Sequence, residues 1–541
     1  MSSAAATPHS LALRQTGIRT VSPWLVAVAV VIPAFMEVLD TTIANVALRY
    51  IAGGLSAPVT DSEWVITSYL AANAIILPIS GWLGAHLGRR NYFLLSIGTF
   101  TFASAMCGLS TSLNMLIGCR ILQGLAGGGL QPSSQGVLLD AFPPEKQGTA
   151  MTMFGLAALL APVVGPTLGG WLTDNWGWRW IFYINLPVGI VAMVLCRFLV
   201  HDPEYINQAR AKLRGQPLNF DFIGLGLLSA TMTCWEIVLS KGQEWNWFGD
   251  VFYRIQILSA IFAVCLTSLI IRELRIKNPL INFRTLKERN FRSCCLIIFC
   301  AYGVLYANTT SLPALLQTLF GYDATTSGLV LSPSGGGAIV MLLIVGVLLA
   351  RGMDARFPIA MGLLVLGLGN YWLSQLNLDI SPWQVVWPRV VIIAGLSMLF
   401  APLNVAAFIY TPPEFRGAAV GLMALLRNEG GSVGTSVAQT IQERREQFHN
   451  LRLNEHLNLL TPAVNQAFFN GQQFFLQHVP DVVDAKRLTL QVIADQLDQQ
   501  ALSLSYFDVY WFCGILAFGL VLLVLLMRRS VAEKGAHIGG E

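Results

Sequence analysis

The stretch Pro33-Ala-Phe-Met-Glu-Val-Leu-Asp-Thr-Thr-Ile-Ala-Asn-Val-Ala-Leu48 decides the fold. It lies inside an apolar run that begins near Trp24, and the run is long enough to cross a bilayer, which takes about 20 residues. Yet it holds two acids, Glu37 and Asp40, about one helical turn apart on one face. A carboxylate at bilayer depth is costly unless it is paired, protonated or turned to a wet cavity. Two neighbouring carboxylates in low dielectric do not both ionise, and that is the property a proton carrier needs. The rest of the chain has to explain why these acids are tolerated.

Composition widens the reading from one span to many. The 541 residues are 54% hydrophobic and 12% charged, against about 25% charged in soluble domains. Mean hydropathy is +0.58. This describes an all-α polytopic membrane protein, not a soluble enzyme with one anchor. The first twenty residues are polar, with Arg14 and Arg19 and no small-residue cleavage site, so the first span is expected to be an uncleaved signal anchor. The nine cysteines fall in or beside apolar runs without a CxxC pair and read as packed thiols. Histidines keep to loops and tails, so no metal is expected. No P-loop is present, which excludes ATP-driven pumping within the chain. No cofactor and no nucleic acid are expected.

Hydropathy gives fourteen spanning segments, near 24–48, 63–84, 92–111, 114–136, 148–172, 179–199, 222–240, 254–273, 293–313, 327–350, 357–376, 383–408, 415–440 and 506–527. An even number puts both ends on one side. Arg89, Arg90, Arg197, Arg210, Lys212, Arg214, the cluster from Arg272 to Arg292, Arg351, Arg356, Arg528 and Arg529 fall on that side, against Arg49, Arg179, Lys241 and Arg254 on the other. The positive-inside rule therefore makes both termini cytoplasmic. The expected organisation is a tail (1–23), a six-helix bundle (24–199), a basic linker (200–221), two inserted helices (222–273), a basic loop (274–292), a second six-helix bundle (293–527) and a tail (528–541). Residues 441–505 form a long outer segment within the second bundle. Its Phe468, Phe469, Phe474 and Phe475 suit either an amphipathic element resting on the membrane or a docking surface.

Gly81-Trp-Leu-Gly-Ala-His-Leu-Gly-Arg-Arg90 follows the second span, and Gly346-Val-Leu-Leu-Ala-Arg-Gly-Met-Asp-Ala-Arg356 follows the tenth. Arg120 in the fourth span and Arg389 in the twelfth hold matching places. Such repeats are frequent in secondary transporters, whose sites lie near the midplane between them.

Arg120 must find an acid or water in the membrane, because a guanidinium does not lose its proton there. A rise of about 1.5 Å per residue puts Glu37, Asp40 and Arg120 at similar depth in the outer half of the membrane. A static brace between two helices and a working ion pair both remain open. In the fifth span, Pro162 and Pro166 remove amide donors, while Gly165, Gly169 and Gly170 permit close helix approach. In the thirteenth, Arg427 and Glu429 either neutralise each other or line a cavity. Glu236 reads as an acid snorkelling to the outer interface. Asn45, Asn73, Gln123, Asn308 and Arg389 complete the cavity candidates.

Several stretches resemble the fourteen-helix drug–proton antiporters of the major facilitator superfamily. Leu39-Asp-Thr-Thr-Ile-Ala-Asn-Val-Ala47 is similar to their first-helix signature. Gly81 to Arg90 resembles the superfamily's loop 2–3 motif, with Gly88, Arg89 and Arg90 in place. Arg120-Ile-Leu-Gln-Gly124 resembles the helix-4 motif, and Gly165-Pro-Thr-Leu-Gly-Gly170 the helix-5 antiporter motif. Trp178-Arg-Trp-Ile-Phe-Tyr-Ile-Asn-Leu-Pro-Val-Gly189 and Leu312-Pro-Ala-Leu-Leu-Gln-Thr-Leu-Phe-Gly-Tyr322 also match.

The resemblance implies two six-helix bundles plus two inserted helices, working by alternating access. It implies that Asp40 takes and releases the coupling proton, that Arg120 assists, and that the fifth helix resists leak. By the same likeness, drug-like substrates, a periplasmic adaptor, an outer-membrane channel and a bacterial inner membrane are expected. Three departures stand out. Ala85 replaces the usual acid of the loop motif, and Glu37 and Glu429 are additional acids. An exporter dedicated to one metabolite or siderophore has the same coupling features. A membrane sensor that does not transport fits them less well.

Overall fold

The computed structural model describes residues 22–142, 147–202, 206, 221–276, 279–411, 413–457, 461–479 and 481–530. Most of the expected tails, most of the basic linker and its Arg210, Lys212 and Arg214 lie outside the described residues.

Long apolar runs become helices because a bilayer offers no partner to an unpaired backbone amide or carbonyl. The helices are α1 (Pro23–Gly54), α2 (Trp64–Leu87), α3 (Arg89–Gly108), α4 (Leu113–Gly127), α5 (Leu130–Ala141), α6 (Gln147–Trp176), α7 (Asn185–Leu199), α8 (Phe222–Lys241) and α9 (Arg254–Arg275). They continue as α10 (Arg289–Thr318), α11 (Ala324–Leu331), α12 (Ser334–Ala350), α13 (Arg356–Ser374), α14 (Pro382–Phe408), α15 (Pro413–His456), α16 (Pro462–Leu476) and α17 (Val482–Leu525). Single helical turns at Val59–Ser62 and Trp180–Tyr183 join them. Eleven helices among the described residues are long and apolar enough to cross a membrane. The three other expected spans are helical too, on α3, on α4 with α5, and on α15.

The fourth and tenth spans are each two helices. Their breaks fall at Gly128–Gly129 and Ser332–Pro333, where the chain is rich in glycine or proline. A Cβ on Gly129 would run into the Tyr92 hydroxyl, so α5 starts where α3 comes close. Caps hold the ends. Asp221 accepts from the Gly224 amide at 2.8 Å to start α8, and Asp481 accepts from Val483 at 3.0 Å to start α17. Asp221 also takes Arg272 of α9 at 2.7 Å. The Arg272 contact holds the Asp221 carboxyl below the usual carboxylate range.

Helices α1–α7 form one bundle and α10–α17 the other. The inserted α8 packs on α2, α15 and α9, while α9 stays on the periphery, with few of its residues buried. The bundles meet where α6 faces α11 and α12, and where α2 faces α15. Gly328 is pressed against the Thr167 backbone, leaving no room for a side chain. Asp174 of α6 accepts from Tyr50 of α1 at 2.7 Å and from Thr325 of α11 at 2.9 Å. The two halves turn alike after their second helices, at Gly88 (φ +88°) and Gly352 (φ +86°), a left-handed conformation that suits glycine.

The segment 441–505 is largely a continuation of its two flanking helices. Residues 441–456 continue α15 and residues 482–505 begin α17, each helix being 44 residues long. At about 1.5 Å per residue each is roughly 66 Å, twice the ~30 Å hydrocarbon core. Arg445 and His449 of α15 hold Asp508 of α17 at 2.5 and 2.7 Å, and Asn450 holds Asp498 at 2.6 Å. Helix α16 folds back on α17, with Phe469 56% and Phe474 58% exposed.

Candidate functional site

Asp40 and Arg120 meet, at the common depth that the helix rise predicts. The Arg120 Nη1 donates to Asp40 Oδ2 at 2.5 Å, and both side chains are essentially inaccessible to solvent. Gln123 Nε2 donates to Asp40 Oδ1 at 2.9 Å, and Asn185 Nδ2 to the same oxygen at 2.7 Å. The Arg120 Nε donates to the Val65 carbonyl of α2 at 3.0 Å. Its guanidinium lies over the Tyr69 and Phe182 rings, 4.3 and 5.6 Å from their centroids. One charge pair thus ties α1 to α4, α2 and α7.

Glu37 goes elsewhere. It accepts from Asn73 at 3.1 Å, Tyr69 at 3.3 Å and Gln131 at 2.5 Å. Gln131 in turn accepts from Arg427 of the other half. These groups surround a small cavity of about 30 Å³, together with Pro162, Tyr302 and Tyr306. That is room for about one water. A second cavity of about 340 Å³ opens beyond Tyr306, which lines both. Thr41, Asn45, Arg49, Glu63, Glu236 and Gln439 are among its walls. Its size fits the lower end of small-molecule sites, about 300 Å³. The acids read as neighbours on one helix face therefore have different surroundings: Asp40 is closed within one bundle, and Glu37 faces the seam.

Other candidates sort by position. Asn45, Asn73 and Arg427 line one of these cavities. Gln123 does not; it belongs to the Asp40 cluster. Asn308 is taken up by Asn370 at 2.9 Å inside the second bundle. Arg389 is buried there too, its Nε and Nη1 without hydrogen bonds. Arg427 and Glu429 do not neutralise each other, since residues two apart point to different sides of a helix. Glu236 does not snorkel. It is 2% exposed and accepts from Ser432 Oγ of α15 at 2.9 Å.

The fifth-span motif packs as expected. A Cβ on Gly165 would collide with Thr42, and one on Gly169 would stand 3.0 Å from Ile43 Cγ2. Gly170 is buried, and α6 runs unbroken through Pro162 and Pro166. At the loop motif, Gly81 faces open space, and Gly88 makes the turn. Arg89 pairs with Asp140 of α5 and donates to the Gly136 carbonyl at 2.9 Å. The acid beside Arg89 thus comes from α5 and not from the loop motif itself. The Arg90 amide donates to Asp202 at 2.8 Å.

Sequence reasoning missed Asn185, Gln131, Tyr69 and Tyr306. Asn185 was open to discovery, being the one amide side chain in Tyr183-Ile-Asn-Leu-Pro-Val-Gly189.

The Major Facilitator Superfamily profile matches residues 30–435. The chain belongs to the major facilitator superfamily. It is 33% identical over 524 residues to the multidrug export protein EmrB of Escherichia coli strain K12, covering 95% of this chain and 97% of that one. It is 32% identical over 507 residues to the fatty acid resistance protein FarB of Neisseria gonorrhoeae, covering 94% and 95%. Among solved structures, a bacterial homologue of the lysosomal transporter Spinster in an inward-facing, occupied conformation superposes with a TM-score of 0.58. That likeness covers 95% of this chain and 98% of the other at 14% identity, and concerns the fold alone. The chain is thus a multi-pass, EmrB-type transporter of the superfamily and not an enzyme.

Proposed function

We propose that the protein exports small amphipathic compounds across a bacterial inner membrane in exchange for protons, by alternating access of its two bundles. The observation that carries this reading is the Asp40–Arg120 pair, sealed in one bundle beside a seam that Glu37 and the larger cavity share. Fourteen helices cross the membrane in this reading, with both termini cytoplasmic. The larger cavity then faces the periplasm, since Arg49 and Glu63 lie at that end of α1 and α2.

A proton arriving at Asp40 cancels its charge and loosens the tie between α1 and α4. Arg120 keeps its contacts to Val65 and the aromatic rings, so the guanidinium stays placed to take the carboxylate back. Glu37 sits at the closed seam, where its partners come from both sides of the interface through Gln131. The collision-tight α1–α6 contact at Gly165 transmits movement of α1 to the helix that faces the other bundle. The α15–α17 projection, with its exposed Phe469 and Phe474, is offered to a periplasmic adaptor, which an outer-membrane channel completes.

Purified protein in vesicles with an imposed pH gradient tests the reading against a panel of compounds. Accumulation of several unrelated amphipaths supports it. Accumulation of a single metabolite or fatty acid would restrict the function to a dedicated exporter, a reading that the likeness to FarB keeps in view. No gradient-driven uptake of any compound would refute both.

A further inference from the structure

A second pair of acids stands apart from the Asp40 cluster. Glu236 of the inserted α8 and Glu429 of α15 lie close enough to feel each other's charge. Both are buried, at 2% and 5% exposure. Ser432, one turn along α15 from Glu429, donates to Glu236 at 2.9 Å. The Trp235 indole lies beside Glu429, yet neither carboxyl oxygen of Glu429 completes a hydrogen bond. Glu236 and Ser432 are walls of the larger cavity.

Nearby cations are engaged elsewhere. Lys241, five residues along α8, takes Glu63, just before α2, at 3.2 Å and Glu244 at 2.5 Å. Arg427 donates across the seam to Gln131. On α9, Arg254 pairs with Asp250 and Arg272 with Asp221. From α10, Cys300, Tyr302 and Tyr306 are titratable side chains in reach of α15, and on α17 Asp508 is held by Arg445 and His449. Arg49 of α1 stands across the cavity. Among the described residues, no lysine, arginine or histidine forms an ion pair with Glu236 or Glu429.

Two buried carboxyl groups without a cation do not both carry charge. A bare carboxylate there lacks a counter-ion, and a cationic guest beside Glu236 supplies one. We propose that Glu236 and Glu429 form a cation-exchange site, where a lipophilic organic cation entering the larger cavity displaces a proton held by the pair. The proton leaves a carboxyl O–H for cavity water, and the resulting carboxylate keeps its electron pair to face the cation. This rests on the export reading but adds a second proton site with its own substrate class. Neutral amphipaths use the cavity without this exchange.

The test uses purified full-length protein in weak buffer with a pH indicator dye. Tetraphenylphosphonium is the cationic probe and triphenylphosphine oxide the neutral one. The expected result is proton release on adding the cation to wild type and to Asp40→Asn, lost in Glu236→Gln/Glu429→Gln. Affinity for the cation should fall about 10-fold relative to that for the neutral probe, the effect of one charge-assisted contact. Glu429→Gln alone gives the same readout should the double variant fail to fold. Release that vanishes in Asp40→Asn and persists without the two glutamates would overturn the proposal and leave the export reading intact. So would equal weakening for both probes. Absence of release from wild type, with no gradient-driven uptake either, would remove the proposal and the export reading together.

Discussion

Arg120 and Arg389 hold matching places in the two halves, and their surroundings differ sharply. Arg120 has Asp40, the Val65 carbonyl and two aromatic faces. Arg389 is equally buried but keeps two nitrogens unbonded, and the Tyr510 hydroxyl near it is unbonded too. Where the first bundle holds an acid on α1, the second holds the neutral Asn308–Asn370 pair. A guanidinium with a carboxylate can respond to a proton, because the partner can lose its charge. A guanidinium without one cannot. Of the two matching arginines, only Arg120 thus has a carboxylate beside it that can lose its charge.

The sharpest way to break that comparison is Asp40→Asn. Gradient-driven uptake of drug into vesicles should fall to background. Breaking a buried pair costs about 3–5 kcal/mol through the charge left behind, so the thermal transition should also drop. The double variant Asp40→Asn/Arg120→Gln should regain much of that stability and none of the transport. Persistent uphill uptake in either would show that Asp40 is not the obligatory carrier.

The second expected effect concerns the projection carried by the second bundle alone. Replacing residues 441–505 by a short Gly-Ser linker should abolish export from whole cells while uptake by the isolated permease in vesicles survives. Joint loss would assign the projection to the permease itself.

Gly165→Val comes third. Its side chain meets Thr42 in the tight α1–α6 contact, an overpacking that costs about 1–3 kcal/mol. Transport should suffer more than membrane expression, with a proton leak in the absence of drug. Full activity would mean that this contact does not couple the helices.

Glu37→Gln should act more mildly. Its hydrogen bonds to Asn73, Tyr69 and Gln131 are of a kind that glutamine partly keeps, so the loss against cationic drugs should stay within about 10-fold. The pH dependence of uptake should shift. An unchanged pH profile with an unchanged drug panel would count against a role for Glu37.

Arg389→Met should do least. Replacing a buried ion by an apolar side chain is often neutral or stabilising, so the melting temperature should hold or rise and transport should continue. Loss of transport here would erase the asymmetry between the halves.

Much of this was legible in the chain. Arg120 had to find an acid at its own depth; helix rise left Glu37 and Asp40 as candidates, and the resemblance to the antiporters pointed to Asp40. The doubled loop after α2 and α12 was visible in Gly88 and Gly352. Two things were not. The surroundings of Glu37 and Glu236 depend on Gln131 and Ser432, which come from other helices at separations no local pattern encodes. The length of α15 was hidden because hydropathy falls after about residue 440, although helical backbone continues to His456. Hydropathy reports what a helix touches, not where it stops.

That unbroken backbone has a mechanical meaning. A stiff rod gripped at one end multiplies angle into distance. Each 44-residue helix exceeds a ~30 Å hydrocarbon core by about half its length, roughly 30 Å at 1.5 Å per residue. A 10° tilt of the second bundle would sweep the far end through about 5 Å, the pitch of one helical turn. The polar tip therefore works as a pointer: anything seated on it would register, by displacement alone, which way the transporter is open.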